Sequence, residues 1–180
     1  FSMPPSLNTW TALAIWPISS TRSSAGTSVD QSLFASRPIA PVIAAHDRSR
    51  YEVFCYYTHR LSDDTTARIR QAADGWREVA GAGDDTLEAL IRADRIDVLV
   101  DLAGHCKGNR LAVFARKPAP LQVTWLGYPD TTGLAAMDAR ITDAIADPAP
   151  EADARHTERL CRIEGAFLTY EPPVDSPPVV

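Results

Sequence analysis

The ten residues Asp101 to Arg110 read DLAGHCKGNR and follow the apolar run Ile96-Asp97-Val98-Leu99-Val100. Two glycines, Gly104 and Gly108, bracket a histidine, a thiol and one of the chain's two lysines, the other being Lys117. Glycine permits backbone geometry that other residues resist, and it lets a ligand approach the main chain. His105 can take or give a proton near neutral pH. Lys107 offers a point charge to a phosphate or carboxylate. Gly108 or Asn109 is placed to open a helix, whose first amides attract anions. Gly-rich strand-to-helix connections are also ordinary parts of α/β proteins. The spacing is neither the Gly-x-x-x-x-Gly-Lys-Ser/Thr loop nor the Gly-x-Gly-x-x-Gly dinucleotide fingerprint.

A second stretch, Leu121 to Gly133, reads LQVTWLGYPDTTG. An apolar strand again ends in glycine, here followed by turn chemistry at Pro129-Asp130 and closed by Gly133. If the two strands are neighbours, Tyr128, Thr131 and Thr132 present hydroxyls at the sheet edge that carries His105 and Lys107. Hydroxyls, backbone amides and one cation suit a sugar or a sugar phosphate. The alternative is a well-formed turn with Tyr128 packed on Trp125.

The elements that would position these loops follow from periodicity. The apolar spacing of Ile39, Val42 and Ile43 predicts a short helix from Pro38 to His46. Tyr51 to Tyr57 is aromatic and β-branched, a strand. Ser62 is the expected N-cap of a helix running to about Asp74 and ended by Gly75, with Asp63 and Asp64 in its first turn. Trp76 to Ala80 is a short strand. Asp85 to Glu88 has capping-box spacing, and Leu87, Leu90 and Ile91 form one apolar face behind it. Val98 to Leu102 reads as a strand covered on both faces. A helix is predicted over Gly108 to Arg116, stopped by Pro118 and Pro120, and strands over Leu121 to Leu126, Ala139 to Thr142 and Leu160 to Ile163. Strands alternating with helices mean βαβ units and a parallel sheet, an α/β fold. The first forty residues show small hydroxyl clusters and no sustained period, and they read as a disordered leader. Glu171 to Val180 carries four prolines and reads as a linker.

The totals narrow the class. The chain has 180 residues, enough for one domain with a substantial core. A net charge of −5 argues against a nucleic-acid binder, which would show a basic stripe. No apolar run approaches the roughly 20 residues that cross a bilayer. Trp10 to Ile18 is too short, holds Pro17 and has no basic residue ahead of it, unlike a secretory signal. Three well-separated cysteines, Cys55, Cys106 and Cys161, predict reduced thiols and a cytoplasmic location, with no zinc-ligand spacing.

DLAGHCKGNR and FARKPAPLQVTWLGYPDTTG together resemble the catalytic region of the O-linked N-acetylglucosamine transferase and SPINDLY family. That family's pattern is an Asn/Asp-x-x-Gly-Tyr/His-Thr-x-Gly-x-Arg loop, then a Pro-Ala-Pro-x-Gln-x-x-Trp-Leu-Gly-Tyr-Pro-Gly-Thr-Ser/Thr-Gly run. Met137-Asp138 through Ile141-Thr142-Asp143 to Pro148 is similar to its MDYxxxD…P segment, and the likeness spans roughly Pro41 to Pro178. The resemblance implies one Rossmann-like half of a GT-B glycosyltransferase. Residues 1–37 would be an irregular or divergent leader, 38–170 the N-terminal catalytic half-domain, and 171–180 a linker or the start of the second half. It implies metal-independent, inverting transfer of a sugar from a nucleotide sugar to protein Ser or Thr hydroxyls. The UDP-sugar would be a co-substrate rather than a cofactor, held mostly by the second half. Partners would be a protein or peptide acceptor, with no nucleic acid and no membrane. On that match Gly104, His105, Lys107, Leu126, Gly127, Tyr128 and Pro129 line the cleft, with Thr131 and Thr132 beside them. His105 would contribute to accepting the hydroxyl proton and Lys107 to stabilising the departing phosphate.

The chain departs from the family in places. Val29 to Ile39 reads VDQSLFASRPI, without the histidine the family carries after its first strand, and that strand is not recognisable. A changed reading frame upstream of about Pro38 would account for both, and translating the other two frames of the coding DNA tests it. Asp130 stands where the family has glycine, and the family's preceding helical repeats are not represented in these residues. A non-catalytic Rossmann-like binding module, or an inactive fragment of such an enzyme, is the alternative.

Overall fold

The computed structural model describes the backbone of residues 10–16 and the full residues 39–60 and 62–168. In chain order these form β1 (Trp10–Trp16), α1 (39–44), β2 (Tyr51–Tyr57), α2 (Asp64–Ala72), β3 (Gly75–Glu78) and α3 (Asp84–Ala93). They continue with β4 (Val98–Asp101), α4 (Leu111–Phe114), β5 (Leu121–Thr124), β6 (Ala139–Asp143) and β7 (Arg159–Ile163). The seven strands make one sheet in the order β3-β2-β1-β4-β5-β6-β7, every pair parallel.

The alternating side chains of the strands feed two cores. In β2, Val53, Cys55 and Tyr57 point to the face where Ile39, Ile43 and Ile69 of α1 and α2 pack. Tyr56 points to the other face, with Leu87 and Ile91 of α3 and Phe114 of α4. In β4 the same rule sends Leu99 to the α3 side and Val100 to the α1 side. The sheet is thus covered on both faces, which is why its inner strands read as continuous apolar runs.

Sheet order runs outward from β1 in both directions, so the ligand crevice expected of this topology lies at the carboxyl ends of β1 and β4. Ile15 pairs with Asp101, and Asp101 with Thr124, so β1, β4 and β5 end at one level. The loops after β4 and β5 therefore leave from the same rim.

Several sequence expectations are corrected. The first strand, unrecognised in a leader expected to be irregular, is Trp10–Trp16, and it is an inner strand of the sheet, between β2 and β4. The run WTALAIW neither alternates polar with apolar residues nor adjoins a helix pattern, so its pairing with β2 and β4 is what marks it. Leader residues 1–9 and 17–38, most of the Val29 to Ile39 departure, and the 171–180 tail lie outside the described residues. The N-cap of α2 is Asp63 rather than Ser62, its carboxylate accepting from Thr66 N at 2.8 Å. α2 stops at Ala72, and Gly75 begins a strand instead of closing a helix. The capping-box spacing at Asp85 is coincidental: α3 starts one residue earlier, with Gly83 at its cap and no side-chain cap bond. The helix expected over Gly108 to Arg116 shrinks to Leu111–Phe114, because Gly108 sits at φ +83° and Asn109 uses its side chain to cap Leu111 N at 3.2 Å. Four residues supply no N-terminal anion site, so that reading of Gly108 and Asn109 is withdrawn.

Candidate functional site

The loop after β4 turns sharply over Leu102 to Gly104, where Gly104 adopts φ +51°. The loop after β5 turns at Leu126, a buried residue held at φ +68°, a conformation that costs a non-glycine residue energy and gathers at functional sites. The two turns are packed backbone against backbone. A Cβ on Gly127 would collide with the Leu102 carbonyl oxygen and lie 2.7 Å from its carbon. A Cβ on Gly104 would run into Tyr128, 3.1 Å from Cγ. Glycine is needed at both positions for this close approach, which strand-end composition alone leaves open.

Polar contacts tie the loops further. The His105 ring meets the Tyr128 ring edge-on at 5.1 Å, and His105 Nε2 lies 3.0 Å from the Thr132 carbonyl oxygen. A carbonyl only accepts, so Nε2 carries the hydrogen and the neutral ring keeps its lone pair on Nδ1. The Cys106 thiol donates to the Gly127 carbonyl at 3.1 Å. His105, Lys107 and Pro129 are exposed, while Tyr128 is half-buried against His105. Tyr128 packs on His105 of the facing loop, so the turn is shared between two strand ends. Lys107 makes no hydrogen bond or ion pair among the described residues, which leaves its ammonium open to an anion.

Thr131 and Thr132 serve differently from what the sequence implied. The Thr131 hydroxyl donates to Glu158 Oε2 at 2.7 Å, the Thr132 amide to Oε1 at 2.7 Å, and the Thr132 hydroxyl also donates to Oε1. Thr132 is buried. Both side chains are spent on anchoring the loop to the start of β7 and do not present donors to a ligand. Burial raises the Glu158 pKa, but the three donors outweigh it and hold the carboxyl below its ordinary 4.5. A lowered folded-state pKa contributes stability that is present above about 4.5 and lost as pH falls through the folded value. Glu158→Gln is therefore expected to cost about 1–3 kcal/mol at pH 7 and progressively less below pH 4.5. Urea unfolding of both proteins at pH 7 and pH 3.5 checks this; a gap independent of pH would refute it.

Residues not singled out from sequence complete the support. Arg140, 1% exposed, donates through Nη1 to the carbonyls of Tyr128 (2.7 Å) and Asp130 (3.2 Å), and its Nε lies 3.4 Å from Asp147. Asp147 also accepts from Thr142 at 2.5 Å. His156 donates Nδ1–H to the Ala152 carbonyl at 2.8 Å, and its buried Nε2 stops 3.7 Å short of Asp147 and 3.8 Å short of Asp130. At the end of β4, Asp101 is buried and accepts from Ala103 N, Gly104 N and the Thr124 hydroxyl. Asp130, where the family has glycine, accepts from Thr131 N at 2.7 Å and so stabilises its own turn. A charged residue at an apolar strand position was the available signal for Arg140 and Asp101; Glu158 had none.

Comparison with known proteins places this arrangement. The glycosyl transferase family 41 model matches residues 27–171, beginning ahead of Pro38. A Solanum lycopersicum protein described as a probable UDP-N-acetylglucosamine–peptide N-acetylglucosaminyltransferase SPINDLY is 42% identical over 141 residues, covering 76% of this chain and 15% of its own length. A Caenorhabditis elegans UDP-N-acetylglucosamine–peptide N-acetylglucosaminyltransferase is 39% identical over 126 residues, 68% of this chain and 11% of its own. The solved structure of a Thermobaculum terrenum O-GlcNAc transferase mutant superposes with a TM-score of 0.77 at 40% identity, over 93% of this chain and 30% of that one. The parallel sheet and its two-loop rim define a Rossmann-like half of a GT-B glycosyltransferase. The chain spans 15% of the length of the SPINDLY relative and 30% of the solved one. It belongs to glycosyl transferase family 41.

Proposed function

We propose that this chain is the N-terminal catalytic half of a transferase that moves a sugar, N-acetylglucosamine, from a UDP-sugar to Ser or Thr hydroxyls of a protein or peptide. The observation that carries the reading is the junction of the two family loops into one rim, with His105 edge-on to Tyr128 and Lys107 open beside them. The names of the relatives supply the donor and the peptide acceptor. In an inverting displacement the acceptor oxygen attacks the anomeric carbon, the bond from that carbon to the diphosphate oxygen breaks, and the hydroxyl proton leaves to a base. The Nδ1 lone pair of His105 suits the proton, and the Lys107 ammonium suits the negative charge that gathers on the departing phosphate. A second half, downstream, would share the donor, so the isolated chain is expected to be inactive. No metal or cofactor enters this scheme. Among the described residues no helix is long and apolar enough to cross a membrane, and the proposed setting is the cytoplasm, behind upstream helical repeats.

Mass-detected transfer from UDP-sugars, using this chain with and without its natural downstream continuation, tests the reading. Transfer that needs the continuation supports it; none from either protein with any UDP-sugar points to a binding module. In the active protein, Lys107→Ala is expected to lower kcat about 100- to 1,000-fold, the scale of losing one transition-state donor. Unchanged kcat removes Lys107 from the mechanism.

A further inference from the structure

Asp101 is the last residue of β4 and Thr124 the last of β5, and the two are register partners. Both side chains are buried, at 1% and 2% exposure. No lysine or arginine among the described residues pairs with Asp101. Its carboxylate instead accepts three neutral donors: Ala103 N at 3.1 Å, Gly104 N at 2.9 Å and Thr124 Oγ1 at 2.8 Å. A buried carboxylate without a paired cation is costly, and those three hydrogen bonds offset the cost.

Their placement gives the cost a purpose. Two of the donors are the backbone amides of the turn that aims Gly104 and His105, and the third comes from the strand that launches Leu126 to Pro129. Downstream of the carboxylate every contact between the loops is short-range. Gly104 touches Tyr128, Cys106 bonds to Gly127, and His105 reaches Thr132. A shift of the turn by a fraction of an ångström would therefore move His105 and Lys107 relative to Tyr128 and Pro129. An apolar residue at position 101 would orphan two buried amides. Asparagine would turn an N–H toward one of the donors.

We propose that Asp101, braced by Thr124, is a positioning residue for the transfer reaction: it fixes the two rim loops relative to each other without touching substrate. This rests on the functional reading above.

The test uses the natural protein with its downstream continuation. Thr124→Val removes one bond of the brace and leaves both amides satisfied, Thr124→Ser retains the hydroxyl, and Asp101→Asn disturbs the carboxylate itself. Transfer is measured per folded molecule, and iodoacetamide labelling of Cys106 is followed by peptide mass spectrometry, since its thiol reports loop-to-loop contact. Thr124→Val is expected to lower kcat/KM roughly 10- to 100-fold, the scale of sub-ångström misplacement, and to speed Cys106 labelling severalfold, with Thr124→Ser restoring both. Asp101→Asn is expected to do at least as much; if it fails to fold, the threonine pair decides. Unchanged kcat/KM per folded molecule, unchanged Cys106 labelling, or failure of serine to rescue overturns the proposal. If the unmutated protein transfers no sugar, the functional reading falls separately, while Cys106 labelling still decides whether the brace joins the loops.

Discussion

Replacing Arg140 with methionine is expected to destabilise the domain by about 3–5 kcal/mol, the cost of leaving one member of a buried pair without the other. The side chain is fully enclosed, so water cannot replace it. Its loss leaves the carbonyls of Tyr128 and Asp130 without their donor and the carboxylate of Asp147 without its cation. Against a typical total of about 5–15 kcal/mol this is a large fraction, and the melting temperature should fall by roughly 6–20 °C. Arg140→Lys keeps the charge but has one nitrogen where the guanidinium uses two, so an intermediate loss is expected. Thermal unfolding of the natural protein gives the global figure. Hydrogen exchange at the Thr131 and Thr132 amides locates it, because the rim is what the guanidinium holds. A loss below about 1 kcal/mol would mean that the loop keeps its shape without that donor.

Gly127→Ala is expected to have the larger effect on activity. The added methyl would meet the Leu102 carbonyl group and lie 2.9 Å from the Ala103 Cα, all of it backbone. No rotamer change relieves such a contact, so the two loops must move apart. Misplacement on that scale is expected to lower transfer by about 100-fold or more and to cost about 1–3 kcal/mol of stability as overpacking. Gly133→Ala is the control. It lies in the same loop at φ +70° with nothing within 4 Å of an added Cβ, so it carries backbone strain without a collision. Assaying both variants separates the two causes. Near-normal transfer by Gly127→Ala would show that the loops need not touch for the reaction.

The same two sites show where sequence reasoning ran well and where it stopped. Glycines 104 and 127 were conspicuous because each closes an apolar strand, and strand-end glycines in a βαβ pattern point to the ligand edge of a sheet. What each glycine avoids, the Tyr128 side chain for Gly104 and the Leu102 backbone for Gly127, is a contact between residues more than twenty positions apart. Thr131 and Thr132 were read as hydroxyls offered to a sugar because local chemistry is all that a single stretch shows. Glu158, which takes up both, is 26 residues further on and arrives only when β7 pairs with β6. The helix expected over 108–116 failed for a local reason: a left-handed glycine and a side-chain cap outweighed a good apolar period.

From Tyr51 onward, the order of strands and helices, the two-faced burial of the sheet and the two rim segments were determined by the sequence itself. Each depends on periodicity, turn residues or motif spacing, and these act over a few neighbours. The inner position of Trp10–Trp16 between β2 and β4, the backbone contact at Gly127, and the burial of Asp101, Arg140 and Glu158 were decided only by the tertiary structure. Pairing and desolvation depend on which distant groups share a surface. A buried charge becomes tolerable only when those groups supply its hydrogen bonds.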